Sequence, residues 1–326
     1  MITADRKPDD IVPPLALARL ARRDAIRQFL RRFGANRLGL IGAVMLIFVF
    51  VVATFAPLIA PYDPDDAVII DPDTFFNPPS SQHWFGTDDA GGDILSLVIY
   101  GSRISLLVGF VGAFISMVIG GLIGLLAGYF SGRIGDALMR FTRFFLVVPA
   151  IALTIVLVAV LGPSLRNIII VIGVLGWTTT TLLVRAQVLS IRERKFVFRS
   201  RAMGGGHWHT MRRHVFPLVL PIMLAKGVLD ISYAILYESA LSFIGLGDPT
   251  VVSWGQMLNF AFNRAAISNG AWWALIAPGL SITWVVLATT FVGTALEEIF
   301  NPRLRTNHLG GDEKMIDIPA TAGATA

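Results

Sequence analysis

Six long apolar stretches set the pattern of this chain, at about residues 38–60, 104–130, 144–162, 167–189, 217–246 and 271–298. Each is a continuous apolar run and not an alternation of period two, so each predicts a helix. A bilayer core about 30 Å thick needs roughly 20 apolar residues per helix, and a barrel would need alternating segments of about ten. The expected fold is an all-α integral membrane protein with six transmembrane helices. Around them, residues 1–37 form a polar arm in which Leu17, Leu20, Ile26, Leu30 and Phe33 recur at helical intervals, predicting an amphipathic helix from Leu15 to Phe33 on the inner leaflet or against the bundle. Residues 38–60 are the first span and 61–103 an external loop. Residues 104–302 form the transmembrane core, with the polar loop 190–217 inside it, and 303–326 a disordered tail.

Charge orients this pattern, because Lys and Arg in short loops stay on the cytoplasmic side. The arm holds nine cations, from Arg6 to Arg37, and the loop 190–217 holds seven: Arg192, Arg194, Lys195, Arg199, Arg201, Arg212 and Arg213. Residues 61–103 are acidic instead, with Asp63, Asp65, Asp66, Asp71, Asp73, Asp88, Asp89 and Asp93. Both termini are therefore expected in the cytoplasm. With 54% apolar residues and a mean hydropathy of +0.67 the chain is too apolar for a soluble domain. Its net charge of +5 reflects topology, and no nucleic-acid partner is expected. The absence of cysteine excludes disulfides and thiolate metal sites. The first apolar segment exceeds the 7–15 residues of a signal-peptide core and reads as a retained anchor.

Within the second span, Gly112, Ser116, Gly120, Gly124 and Gly128 recur every fourth residue, a stripe of small side chains along which another helix can approach closely. Pro149 and Pro278 are expected to bend the third and sixth spans. The fifth span carries Lys226, Asp230 and Glu238 at membrane depth. Each would cost roughly 2.5–3.5 kcal/mol if turned to lipid, so all three must face protein or water. Lys226 and Asp230, four apart, can pair, and Glu238 is expected near the same side. A translocation pathway and plain interhelical contacts both fit these residues.

Enzyme motifs are absent. No Gly-x-x-x-x-Gly-Lys-Ser/Thr phosphate loop occurs. His207 and His209, two apart, point to different faces of a helix and make a poor metal pair. Asp88, Asp89 and Asp93 with Gly91 and Gly92 lack the alternating order of a calcium loop and its closing Glu.

Several stretches together resemble a family. His83-Trp-Phe-Gly-Thr-Asp88-Asp-Ala-Gly-Gly-Asp93, Ile99-Tyr-Gly-Ser-Arg103, Leu183-Val-Arg185 through Arg194, Glu238-Ser-Ala-Leu-Ser-Phe-Ile-Gly-Leu-Gly247, Ser253-Trp-Gly-Gln-Met-Leu258 and Trp272-Trp273 are similar to the second permease subunit of dipeptide and oligopeptide ABC importers. The resemblance runs from about Arg37 to Pro302. It implies the type I importer permease fold, in a prokaryotic inner membrane, as one half of a heterodimeric pore. The implied partners are a second permease subunit, two ATP-binding cassette ATPases and an extracytoplasmic binding protein. ATP and Mg would be bound by the ATPases, and this chain would hold no cofactor and do no catalysis. Related permeases carry nickel, glutathione or sugars, and an ion-coupled secondary transporter is the alternative from another class. The family's cytoplasmic signature, Glu-Ala-Ala, three residues and Gly, falls here on Phe198, Arg199, Ser200 and Gly204, so the glycine matches and the glutamate does not. In the family this loop seats in the ATPase, which implies contacts by Phe198, Arg199, Ser200, Arg201, Met203, Gly204, Gly205, His207 and Trp208.

Overall fold

The structure, a computed structural model, describes residues 14–63, 75–130 and 132–300. Among them no strand forms, and Thr87 and Asp93 make an isolated antiparallel bridge. The predicted tail and the acidic residues Asp65, Asp66, Asp71 and Asp73 lie outside the described residues.

The described residues open with α1 (Pro14–Ala35), a helix that covers the stretch Leu15 to Phe33. Asn36 caps α2 (Arg37–Thr54), its side chain accepting the amide of Gly39, and a single turn α3 (Ala56–Ile59) follows. The next helix, α4 (Ile94–Tyr129), begins ten residues earlier than the apolar run suggested. The cause is Asp93, whose carboxylate accepts the amide and the hydroxyl of Ser96 and so starts the helix ahead of its lipid-facing part.

The third span differs most from expectation. In place of one helix over 144–162 there are α5 (Arg133–Val147) and α6 (Ala150–Leu161), bent by 84° at Val148 and Pro149. Proline cannot donate its backbone bond and disfavours helix in the residue before it, so a bend here becomes a break. Beyond it come α7 (Leu165–Leu175), α8 (Trp177–Arg192) and α9 (Lys195–Ala202). Then α10 (His207–Thr210), a π-helical turn Met211–Val215 and α11 (Phe216–Leu241) run on as one long helical rod to a second π-helical turn at Ser242–Leu246. Pro217 thus lies inside this rod and does not start it. An additional helix, α12 (Trp254–Asn263), precedes α13 (Trp273–Phe300), which continues through Pro278.

Five described helical stretches are long and apolar enough to cross a membrane, or six if α5 and α6 count as one. Contacts between helix ends decide in favour of six. The end of α4 meets the end of α8, since Arg192 donates to the carbonyl of Gly128. The start of α7 meets the end of the long rod, since the amide of Leu165 donates to Asp248. That end in turn lies by the start of α4, since the Trp254 indole donates to Val98. Residues 133–161 therefore leave from one end of the bundle and arrive at the other. By the same logic α1, α9 and the end of α13 share one end, where Asn36 donates to Glu298 and Phe29 stacks on Phe300.

The predicted small-residue stripe forms the central seam. A Cβ on Gly120 would lie 2.5 Å from the Trp177 carbonyl oxygen, and one on Gly124 2.7 Å from that of Thr181. Gly128 is as close to Val188, while Ser116 lies against Gly176 and Gly112 against Ile172. Lipid offers no hydrophobic drive between helices, so close backbone contact of this kind holds α4 to α7 and α8.

Candidate functional site

Three groups of polar residues stand out in this frame. The first is the loop at the end shared with α1. In α9, Val197 is fully buried and anchors the helix, while the Ser200 hydroxyl lies 3.2 Å from that of Thr210 and ties it to α10. The helix stops because Gly204 takes a left-handed conformation, φ 84°. The Gly205 amide then reaches the Ser200 carbonyl, and the Gly204 amide reaches that of Arg201, the paired bonds of a Schellman cap. The Arg201 guanidinium sits 5.0 Å over the buried Tyr129 ring, whose hydroxyl is 3.4 Å from His207 Nδ1. Of the predicted surface residues, Phe198, Arg199, Arg201, Met203, Gly204, His207 and Trp208 are exposed, and Ser200 and Gly205 support them from beneath. Met203, 83% exposed, and Trp208, 68% exposed, are large apolar side chains on a stretch that also exposes Arg194, Lys195, Arg212 and Arg213.

The second group lies within the bundle. Lys226 and Asp230 form an ion pair on one face of α11, as their spacing predicted, and the Thr180 hydroxyl donates to the other Asp230 oxygen at 2.9 Å. They line a cavity of about 330 Å³ together with Ser116, Thr178, Tyr233 and Tyr237. The Lys226 ammonium lies 5.6 Å above the Tyr233 ring. Glu297 of α13 interacts electrostatically with both members of the pair. The sequence reading missed Thr180 and Glu297. A carboxylate closing the last apolar run was the available signal for Glu297, and nothing marked Thr180.

Glu238 does not join this cavity. Eight residues advance a helix by about 80° past two full turns, which carries it away from Lys226 and Asp230. It is 1% exposed, accepts from Ser242 at 2.8 Å, and also bonds the hydroxyls of Ser239, Ser253 and Ser105. Ser253 caps α12 and Ser105 belongs to α4, so the carboxylate fastens three elements together.

The third group is the stretch from His83 to Asp93. Asp88 accepts the amides of Ala90 and Gly92, Asp89 pairs with Arg264, and Asp93 meets His83 Nδ1 at 3.0 Å while capping α4. Asp88 and Asp93 serve the loop and the start of α4, and Asp89 ties the loop to Arg264 at the end of α12. Burial pushes the Asp88 carboxyl above its ordinary range, although those amides and Arg264 pull the other way. Asp248 behaves oppositely. The Thr250 hydroxyl and the amides of Leu165 and Thr250 hold it below the usual aspartate value, against a smaller effect of burial.

The family model described as "Binding-protein-dependent transport system inner membrane component" matches residues 120–306, more than half of the chain. This chain belongs to that family. A second model, "N-terminal TM domain of oligopeptide transport permease C", matches residues 25–79. Among relatives, the dipeptide transport system permease protein DppC of Bacillus subtilis (strain 168) is 35% identical over 84% of this chain and 85% of its own length. The di/tripeptide transport system permease protein DppC of Pseudomonas aeruginosa (strain UCBPP-PA14) is 35% identical over 86% of this chain and 93% of its own. A peptide permease protein of Brucella suis biovar 1 is 38% identical over 85% of this chain and 90% of its own. The chain is thus a multi-pass inner-membrane permease component of a binding-protein-dependent transport system, built on the all-helical fold of that family.

Proposed function

We propose that this chain is one half of the pore of an ATP-driven importer of short peptides, with the end bearing α1 and α9 in the cytoplasm. A second permease subunit would complete the pore, and two ATPases would bind and hydrolyse ATP with Mg. An extracytoplasmic binding protein would deliver cargo to the end bearing α12. This chain would contribute no catalysis and hold no cofactor. The names of its relatives favour peptides over nickel, glutathione or sugars. The observation that carries the coupling role is the exposure of Phe198, Met203 and Trp208 on a loop braced by Arg201 over Tyr129 and by the Gly204 cap. An ATPase groove closing on ATP would grip this loop and pull the rod of α10 and α11. Where the family has glutamate, Phe198 would fill the groove by apolar contact and Arg199 would meet a carboxylate.

Reconstitution into liposomes with the companion subunits tests this. Uptake of a labelled dipeptide should require ATP inside the ATPase compartment and should vanish with a hydrolysis-dead ATPase. Uptake that persists on a proton gradient alone would instead establish the ion-coupled alternative.

A further inference from the structure

We propose that the Lys226–Asp230 pair is a passing site for the two charged ends of a zwitterionic peptide in transit, carboxylate to Lys226 and ammonium to Asp230. The inference rests on the peptide reading and adds the recognition chemistry inside the pore. Two fixed charges of opposite sign four residues apart on a helix stand about 6 Å apart along its axis. A fully extended dipeptide spans about 7 Å. The cavity of about 330 Å³ is at the small end of ligand-sized pockets, about 300–1,000 Å³. Its wall offers the Thr178 and Thr179 hydroxyls beside the two tyrosines.

With the cavity empty, the pair neutralises itself, and no unpaired charge waits at membrane depth. A zwitterion exchanges that one ion pair for two with no change in net charge, so it can enter without being trapped. Lys226 has other places to turn, over the Tyr233 ring or toward Glu297.

A purely structural pair makes different predictions. The doubly neutral variant Lys226→Gln/Asp230→Asn removes both charges of the pair at once. The exchanged variant Lys226→Asp/Asp230→Lys keeps an ion pair and reverses its order. In the reconstituted importer, assembly is followed by size-exclusion chromatography and dipeptide uptake by radiolabel. Both variants should assemble and lose uptake by at least tenfold. Wild-type uptake in either one overturns the inference, and so does failure of both to assemble, which would assign the pair to structure. If the wild-type importer moves no peptide at all, the cargo reading fails instead, and that result is read before any variant is made.

Discussion

At the residue scale, three adjacent glycines show how much the position of a side chain decides. Gly204 has φ 84°, where any other residue is strained by roughly 1–2 kcal/mol. Gly205 faces the Ser200 carbonyl, which an added Cβ would approach to 2.6 Å, and Gly206 opens onto free space at φ −62°. Alanine at 206 should be silent, at 204 moderately loosening, and at 205 worst, ranked by hydrogen exchange across α9 and α10. Equal effects at all three would remove the capping account. Glu238 supplies a larger case. Leaving a buried hydrogen-bonding group without its partner costs about 1–3 kcal/mol, and its four serines would lose their acceptor together. Glu238→Ala should therefore destabilise by at least about 3 kcal/mol in thermal unfolding in detergent, and Ser239→Ala, at 3.5 Å, by far less. The sequence exposed Glu238 as costly to bury, yet not its partners, because Ser105 and Ser253 lie more than a hundred residues apart in the chain and meet it only through packing.

Among the elements, the seam between α4 and α8 makes a graded prediction. An extra methyl in a tight contact costs about 1–3 kcal/mol. Gly120→Ala and Gly124→Ala press on carbonyl oxygens and should fall in that range. Gly112→Ala meets its nearest atom at an ordinary 3.4 Å and should be nearly neutral, as melting temperatures in one detergent will reveal. Helices of this kind were legible in advance because continuous apolar runs and a four-residue spacing are local properties. Their ends were less so. Asp93 set the start of α4 by capping, and the 84° break at Pro149 turned a predicted kink into two helices. The helix α12 went unpredicted because its ten residues are too few and too mixed to register as an apolar run. At the end of the bundle that holds the start of α4, Asp248 joins α7 to the long rod. Its folded pKa lies below the unfolded value, so this contribution is present above pH about 3.8 and lost as pH falls through the depressed value. The Leu165 amide should lose exchange protection only in that acid window. Asp88 has the opposite sign, its raised pKa favouring the folded state as it takes up a proton.

For the whole molecule, the end-to-end contacts and the distribution of charge answer different halves of one question. Contacts assign α1 and α9 to the same end of the bundle, and the distribution of cations is the ground for proposing that this end is cytoplasmic. A chain without cysteine can test both with single replacements. Arg27→Cys, Met203→Cys and Gln82→Cys all occupy exposed positions. A membrane-impermeant maleimide should modify the first two in inside-out vesicles and the third in right-side-out vesicles. Had α5 and α6 dipped into the bilayer and returned, Arg27 and Met203 would react from opposite sides. Adding the ATPase partner carries the test from topology to function. The surface around Met203 should become shielded while Arg27, on the separate α1, stays reactive. Equal reactivity of Met203→Cys with and without the ATPase would place the coupling surface somewhere other than α9.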